Sequence, residues 1–238
     1  MSKPALLACA AALLAAASPA LAISTVPADG HIPNYALVAA DLSDFHGGIQ
    51  GSAAKRNVER DGWETEMKAN RIDGYLGYDL TRWLSIYALG GIIEVKNDRA
   101  GVEKDTVFAF GGGFWAGLID DDQLDFLPTI GRYRLQAGGE VVHADPADLS
   151  WTEFNAFLTF EILNDLFLAE EYAPDAIGIF FGPVFHGLDV DDFEKVEDND
   201  WGFTVGMKLH FADGVYINGG ADLFNDDQNL YFNLGVRF

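Results

Sequence analysis

Ten charged residues recur on one face of an alternating pattern: Arg71, Asp73, Arg132, Arg134, Glu140, Glu153, Glu161, Lys208, Asp222 and Arg237. Each stands opposite apolar neighbours, as Arg71 and Asp73 stand against Ile72, Gly74, Leu76 and Tyr78. Both signs are present, so the chemistry on offer is mutual ion pairing in a shared interior, or a path for ions. Two histidines offer a second chemistry. His143 with Asp145, and His186 with Asp189, have the residue types of a base and its carboxylate partner in hydrolysis. No His-x-Ser pattern supplies a nucleophile beside them. The acidic run Asp189–Asp200 lacks the Asp-x-Asp-x-Asp-Gly spacing of a calcium loop, so a solvated charge run is its expected role. Gly111, Gly112 and Gly113 precede no helix and no lysine, which favours close packing over phosphate binding. No metal site, no cofactor and no enzymatic activity is expected.

These residues must be positioned by strands, because the alternation has period two. The last ten residues show it most plainly. Leu230, Phe232, Leu234, Val236 and Phe238 form one face, and Tyr231, Asn233, Gly235 and Arg237 the other. A strand of that length rises about 34 Å and, tilted near 45°, crosses an apolar band of about 25 Å. Upstream, Phe108, Phe110, Phe114 and Leu118 oppose Ala109, Gly111, Gly113 and Gly117. Large residues outside and small ones inside suit a narrow barrel, whose interior is nearly filled by side chains. Phe154, Leu158 and Phe160 against Glu153, Asn155 and Glu161 repeat the pattern, as do Trp201–Phe211, Val215–Leu223 and the strand at about 125–142. In Trp83–Val95 both faces are apolar, and the inward one is left open. Phe45–Ala54 is the weakest strand. Lys55–Glu64, Asn97–Asp105, His143–Ser150, Asp189–Asp200 and Asn225–Gln228 read as loops on one side. Asp79–Arg82, Asp120–Gln123, Asn164–Asp175 and Ala212–Gly214 read as connections on the other.

The first 22 residues carry one positive charge at Lys3, continue as an Ala/Leu run and end in Ala20-Leu21-Ala22, the form of a cleaved signal peptide. Residues 23–42 read as a Pro-broken lead-in, and 43–238 as the barrel. Cys9, the single cysteine, lies within the leader, so disulfides, thiol catalysis and cysteine-type zinc sites are not expected. A formal charge of −22 argues against nucleic acid as a partner.

The signal peptide, the alternating strands with short connections on one side, and the Phe-terminated end resemble small outer-membrane β-barrels of the OmpA/OmpX/OmpW type. The resemblance implies an all-β, antiparallel up-and-down transmembrane barrel with both termini periplasmic. An even strand count then follows: ten strands if Phe45–Ala54 is one of them, with eight as the alternative. It also implies that Leu230, Phe232, Leu234, Val236 and Phe238 are an insertion signal. That signal would be read by the barrel-insertion machinery, with periplasmic chaperones assisting. Trp83, Trp115, Trp151 and Trp201 fall near strand ends, where aromatic girdles meet lipid and lipopolysaccharide. Because the sequence stops at Phe238, no cell-wall anchor of the OmpA kind is expected. The functional expectation is a monomeric barrel of the cell outer membrane with a structural or surface-interaction role. A narrow pore for ions or small solutes is the alternative, and a rim hydrolase a third reading. A soluble, lipocalin-like barrel with every face reversed has the same alternation.

Overall fold

The computed structural model describes residues 44–60, 63–81, 83–97, 102–121, 131–146, 150–166, 174–190, 195–196, 200–211, 214–224 and 228–238. The expected signal peptide and lead-in, and Leu127, lie outside them. The strands are β1 (Phe45–Arg60), β2 (Trp63–Thr81), β3 (Leu84–Asn97), β4 (Val102–Asp121), β5 (Gly131–Ala144) and β6 (Trp151–Asp165). They continue with β7 (Ala176–Val190), β8 (Lys195–Val196), β9 (Asp200–His210), β10 (Val215–Leu223) and β11 (Gln228–Arg237). All but the two-residue β8 pair antiparallel with their chain neighbours, and β1 also pairs with β11, from His46↔Arg237 to Ala53↔Leu230. The result is a closed antiparallel barrel of ten strands. Closure leaves no wall strand with a free edge along the shared ladder.

The weakest strand of the sequence reading is therefore the one that closes the wall. It is also much longer than Phe45–Ala54. β1 runs to Arg60 and β2 starts at Trp63, so most of the expected loop Lys55–Glu64 is ladder, paired from Lys55↔Lys68 to Arg60↔Trp63. Likewise β4 begins at Val102, inside the expected loop Asn97–Asp105. Backbone hydrogen bonds carry no sequence requirement, so pairing continues past the point where apolar alternation stops. β2 and β4 reach 19 and 20 residues, whereas β10 and β11 have 9 and 10. The wall is thus taller on the β1–β4 side, at the distal rim opposite Phe45 and Arg237. β8 lies against that extension, pairing Val58↔Val196 and Glu59↔Lys195.

Apolar side chains point outward. Ile72, Leu76, Ile92, Phe108, Phe110, Phe114, Phe154, Phe203, Val205 and Met207 are all exposed. The stretch Phe108–Leu118 spans about 34 Å along β4 and, tilted near 45°, about 24 Å of height. A register shift between Gly117 and Ile119 lets Leu118 and Ile119 both face outward. On the described outer face of β1–β3, charge appears beyond Ile72 and Ile92, at Lys55, Lys68, Glu94 and Lys96. Two glycines are needed for specific reasons. Gly214 takes φ 72 in the tight β9–β10 turn. Gly91 sits where a Cβ would press on the backbone of Ile72 and Asp73, so it permits the close approach of β3 to β2.

Candidate functional site

The lumen is built from the inward positions of each strand, and on β2 these are Arg71, Asp73, Tyr75 and Asp79. The strand period fixes that set, while barrel closure decides what it meets. Arg71 reaches across the interior. Its guanidinium lies 2.6 Å from Asp73 Oδ2, 2.5 Å from Glu140 Oε1 and 3.4 Å from Glu153 Oε2. Glu140 and Glu153 belong to β5 and β6, three and four wall positions away from β2. Gln50 Nε2 donates to Glu140 Oε2 at 3.2 Å, and the Tyr87 hydroxyl donates to the same oxygen at 2.9 Å. One cation thus gathers three carboxylates, and none of the four residues is more than 4% exposed.

A second cluster centres on Glu161. Lys208 Nζ lies 3.4 Å from it, Arg134 Nη1 3.7 Å, and Gln136 Nε2 donates to it at 2.9 Å. Lys208 also sits over the Phe180 ring, 5.8 Å from its centre. At the terminal rim Arg237 pairs with Asp79, which also accepts from the Ser85 hydroxyl. That ion pair links β11 to β2 across the closing strand β1. Between these clusters Tyr75 hydrogen-bonds to Tyr216 and donates to Asn233 Oδ1 at 3.0 Å, while Thr204 and Tyr231 share a 2.8 Å bond.

Of the expected lumen charges, Arg71, Asp73, Arg134, Glu140, Glu153, Glu161, Lys208 and Asp222 are buried on the inward face, and Arg237 is half-buried at the rim. The side chain of Arg132 lies outside the described ones. The two apolar faces of Trp83–Val95 resolve with Tyr87, Leu89, Ile93 and Val95 inside and Ile86, Ala88 and Ile92 outside. Not all of the lumen is polar. Met67, Ile93, Val95, Ala109, Val142, Ala144, Trp151 and Val190 pack together inside the distal half. Charge alternation could not reveal this core, because its inward residues are uncharged and at Met67 and Ala69 on β2 the polar residues lie on the outer face instead.

The aromatic girdle needs correcting. Trp83 and Trp201 do face outward, at 55% and 72% exposure, at opposite rims. Trp115 and Trp151 are each 1% exposed and lie inside, Trp115 against Phe157 and Val184 and Trp151 in the distal core. The reason is parity. Trp115 shares its face with Ala109, Gly113 and Gly117, whose small side chains leave room for an indole, and Trp151 shares its face with Glu153 and Asn155. Tyr78 and Phe45 face outward at the terminal rim with ring centres 4.8 Å apart, the rim at which Trp115 was expected. Leu230 and Phe238 are exposed on the outer face, with Phe232, Leu234 and Val236 half-buried between their neighbours.

At the distal rim His143 Nε2 lies 3.3 Å from Asp145 Oδ1, and its Nδ1 lies 3.0 Å from Thr152 Oγ1. His186 points into the lumen while Asp189 is exposed outside, so those two do not form a pair. Among the described residues no group of three His, Cys, Asp or Glu side chains is arranged to hold a metal.

No family model matches the chain, and no curated protein matches it. Solved structures with a similar outline include an outer membrane channel from Pseudomonas putida F1, at TM-score 0.42 and 10% identity, covering 87% of this chain and 100% of that one. The transport unit of the autotransporter AIDA-I from Escherichia coli has TM-score 0.40 and 12% identity, with coverage of 84% and 91%. The CymD monoaromatic hydrocarbon channel has TM-score 0.28 and 9% identity, with coverage of 83% and 89%. The closed ladder and its two faces, rather than these distant likenesses, carry the argument about this chain.

Proposed function

We propose that the chain is a monomeric integral barrel of the cell outer membrane with a closed, ion-paired lumen and a structural or surface-interaction role. The observation that carries this reading is Arg71, which crosses the lumen to buried carboxylates on the opposite wall. A belt of exposed apolar side chains around that charged interior supports the membrane location, since a soluble barrel would carry the reverse polarity. The tall β1–β4 side would project beyond the lipid and present the surface that partners meet. Leu230, Phe232, Leu234, Val236 and Phe238 would be the face read by the insertion machinery, with chaperones holding the chain beforehand.

A narrow pore is the second reading, favoured by one observation. Ser52, Asn155, Thr159 and Asn229 are buried with polar atoms that bond to no group among the described residues, and such groups are commonly satisfied by water. A thread of water along them would pass only small ions. Conductance separates the readings. Protein that shows a boiled-versus-unboiled mobility shift, reconstituted into planar bilayers, is expected to be silent, and Arg71→Ala is expected to open measurable conductance. Steady wild-type conductance would overturn the closed-lumen reading in favour of the pore.

A further inference from the structure

The base and carboxylate at the distal rim acquire a third member in the fold. His143 on β5 is paired across the ladder with Thr152 on β6. Its Nδ1 lies 3.0 Å from Thr152 Oγ1, and its Nε2 lies 3.3 Å from Asp145 Oδ1. A carboxylate only accepts, so in the neutral ring the proton sits on Nε2. Nδ1 is then bare, and the threonine O–H donates to it. Nucleophile, base and orienting carboxylate thus stand in one chain of contacts, the signature of an activated hydroxyl. No His-x-Ser pattern announces it, because the hydroxyl comes from the neighbouring strand, nine residues on.

All three side chains lie on the outer face, where a solute in the lumen does not reach them. Next to them, on the belt side, Val141 pairs with Phe154, and both are exposed. Phe110 stands edge-on to the His143 ring at 5.4 Å and is exposed as well. What meets Thr152 Oγ1 from outside is therefore a molecule whose chains lie on the apolar belt and whose polar part lies at the rim. Asp189, exposed on β7, holds the next position of the row beyond Thr152. With carboxylates at Asp145 and Asp189, the row disfavours anions and suits a neutral ester.

We propose that Thr152, His143 and Asp145 form an acyl-transfer site that cleaves neutral acyl esters of membrane amphiphiles. The inference rests on the membrane reading above. Thr152 Oγ1 attacks the ester carbonyl carbon as its proton passes to His143 Nδ1. The bond from that carbon to the alcohol oxygen breaks, and the alcohol leaves with the proton. Water then attacks the acyl-threonine, giving a proton to the same nitrogen. The fatty acid departs, and the threonine oxygen takes that proton back. Asp145 acts through the imidazole, holding Nε2–H and steadying the imidazolium as it forms. The backbone here is committed to the ladder on both sides of β6, so the developing oxyanion is left to interfacial water. Lack of one fixed donor forfeits about 10²–10³ in rate, so turnover is slow.

The test uses the full chain in phosphatidylcholine nanodiscs carrying p-nitrophenyl palmitate, a reactive neutral ester. Nitrophenol release is followed by absorbance, and palmitoylated peptides are mapped by mass spectrometry. The wild type is expected to carry palmitate on Thr152. Thr152→Ala is expected to abolish that adduct, Thr152→Ser to retain it, and His143→Gln to slow release by about 10²-fold or more. Asp145→Asn is expected to lower the rate at saturating ester and leave the half-saturating ester fraction unchanged. Equal release by the wild type and Thr152→Ala would overturn the proposal, reducing the Thr152–His143 contact to a tie between strands. The mobility shift of every variant is read in parallel. Its presence with equal release removes the acyl-transfer site alone, and its absence in the wild type removes the membrane reading and this proposal together.

Discussion

Arg71 is the side chain on which the interior depends most. A buried ion pair is weak evidence of stability when compared with an apolar replacement, because desolvation offsets the Coulomb gain. Removing one partner is a different matter, since it leaves buried charge uncompensated. Arg71→Ala would strand Asp73, Glu140 and Glu153 together, and is expected to cost about 3–5 kcal/mol, read from the urea midpoint of the barrel in liposomes. Glu140→Gln leaves two carboxylates facing the guanidinium and is expected to cost clearly less. If the two variants unfold at the same urea concentration, the cation is not the organising group. The face on which Arg71 lies was legible from Ile72 and Leu76 beside it. Its partners were not, because Glu140 and Glu153 lie 69 and 82 residues away and meet it only through barrel closure.

For the strands, the outer belt gives the sharpest expectation. Leu76 is exposed mid-belt on β2, and Lys68 lies eight residues nearer the distal rim on the same face of that strand, a rise of about 27 Å. Arginine on a lipid-facing surface costs about 2–4 kcal/mol at mid-membrane and about 0–1 near the interface. Leu76→Arg is therefore expected to lose about that larger amount, and Lys68→Arg almost nothing, in the same liposome unfolding measurement. Equal tolerance of both substitutions would mean that no hydrocarbon surrounds β2. The strands also show where alternation stops being informative. Lys55–Arg60 has too few apolar residues to be recognised as strand, yet it pairs along its whole length with Trp63–Lys68. The ladder there is held by backbone bonds between strands that the barrel below has already aligned.

At the scale of the whole molecule, the barrel sorts its tryptophans by position rather than by type. Trp83 and Trp201 face outward at opposite rims, while Trp115 and Trp151 are enclosed. In bilayers carrying brominated lipid, variants retaining only Trp83 or only Trp201 are expected to be quenched strongly. Variants retaining only Trp115 or only Trp151 are expected to keep most of their fluorescence. The reverse result would turn the barrel inside out. This sorting was legible in part, since Trp115 and Trp151 share parity with Gly113 and Glu153. Proximity to a strand end had suggested the girdle, but the direction of the side chain is set by the period.

The sequence by itself determined which residues share a face and roughly where most strands lie, because side chains alternate along any extended chain whatever it packs against. It also determined that Arg71, Glu140, Glu161 and Lys208 lie opposite Phe and Leu. It could not determine which face is the inside, since alternation is unchanged when a barrel is turned inside out. Nor could it settle eight strands against ten. That depended on Phe45–Ala54, a segment rich in small residues that becomes a strand by pairing with β2 on one side and β11 on the other. Only the tertiary structure closed that seam, filled the distal lumen with an apolar core, and brought one arginine to three carboxylates. Each of these is a contact between residues far apart in the chain, fixed by register around the wall rather than by any local preference.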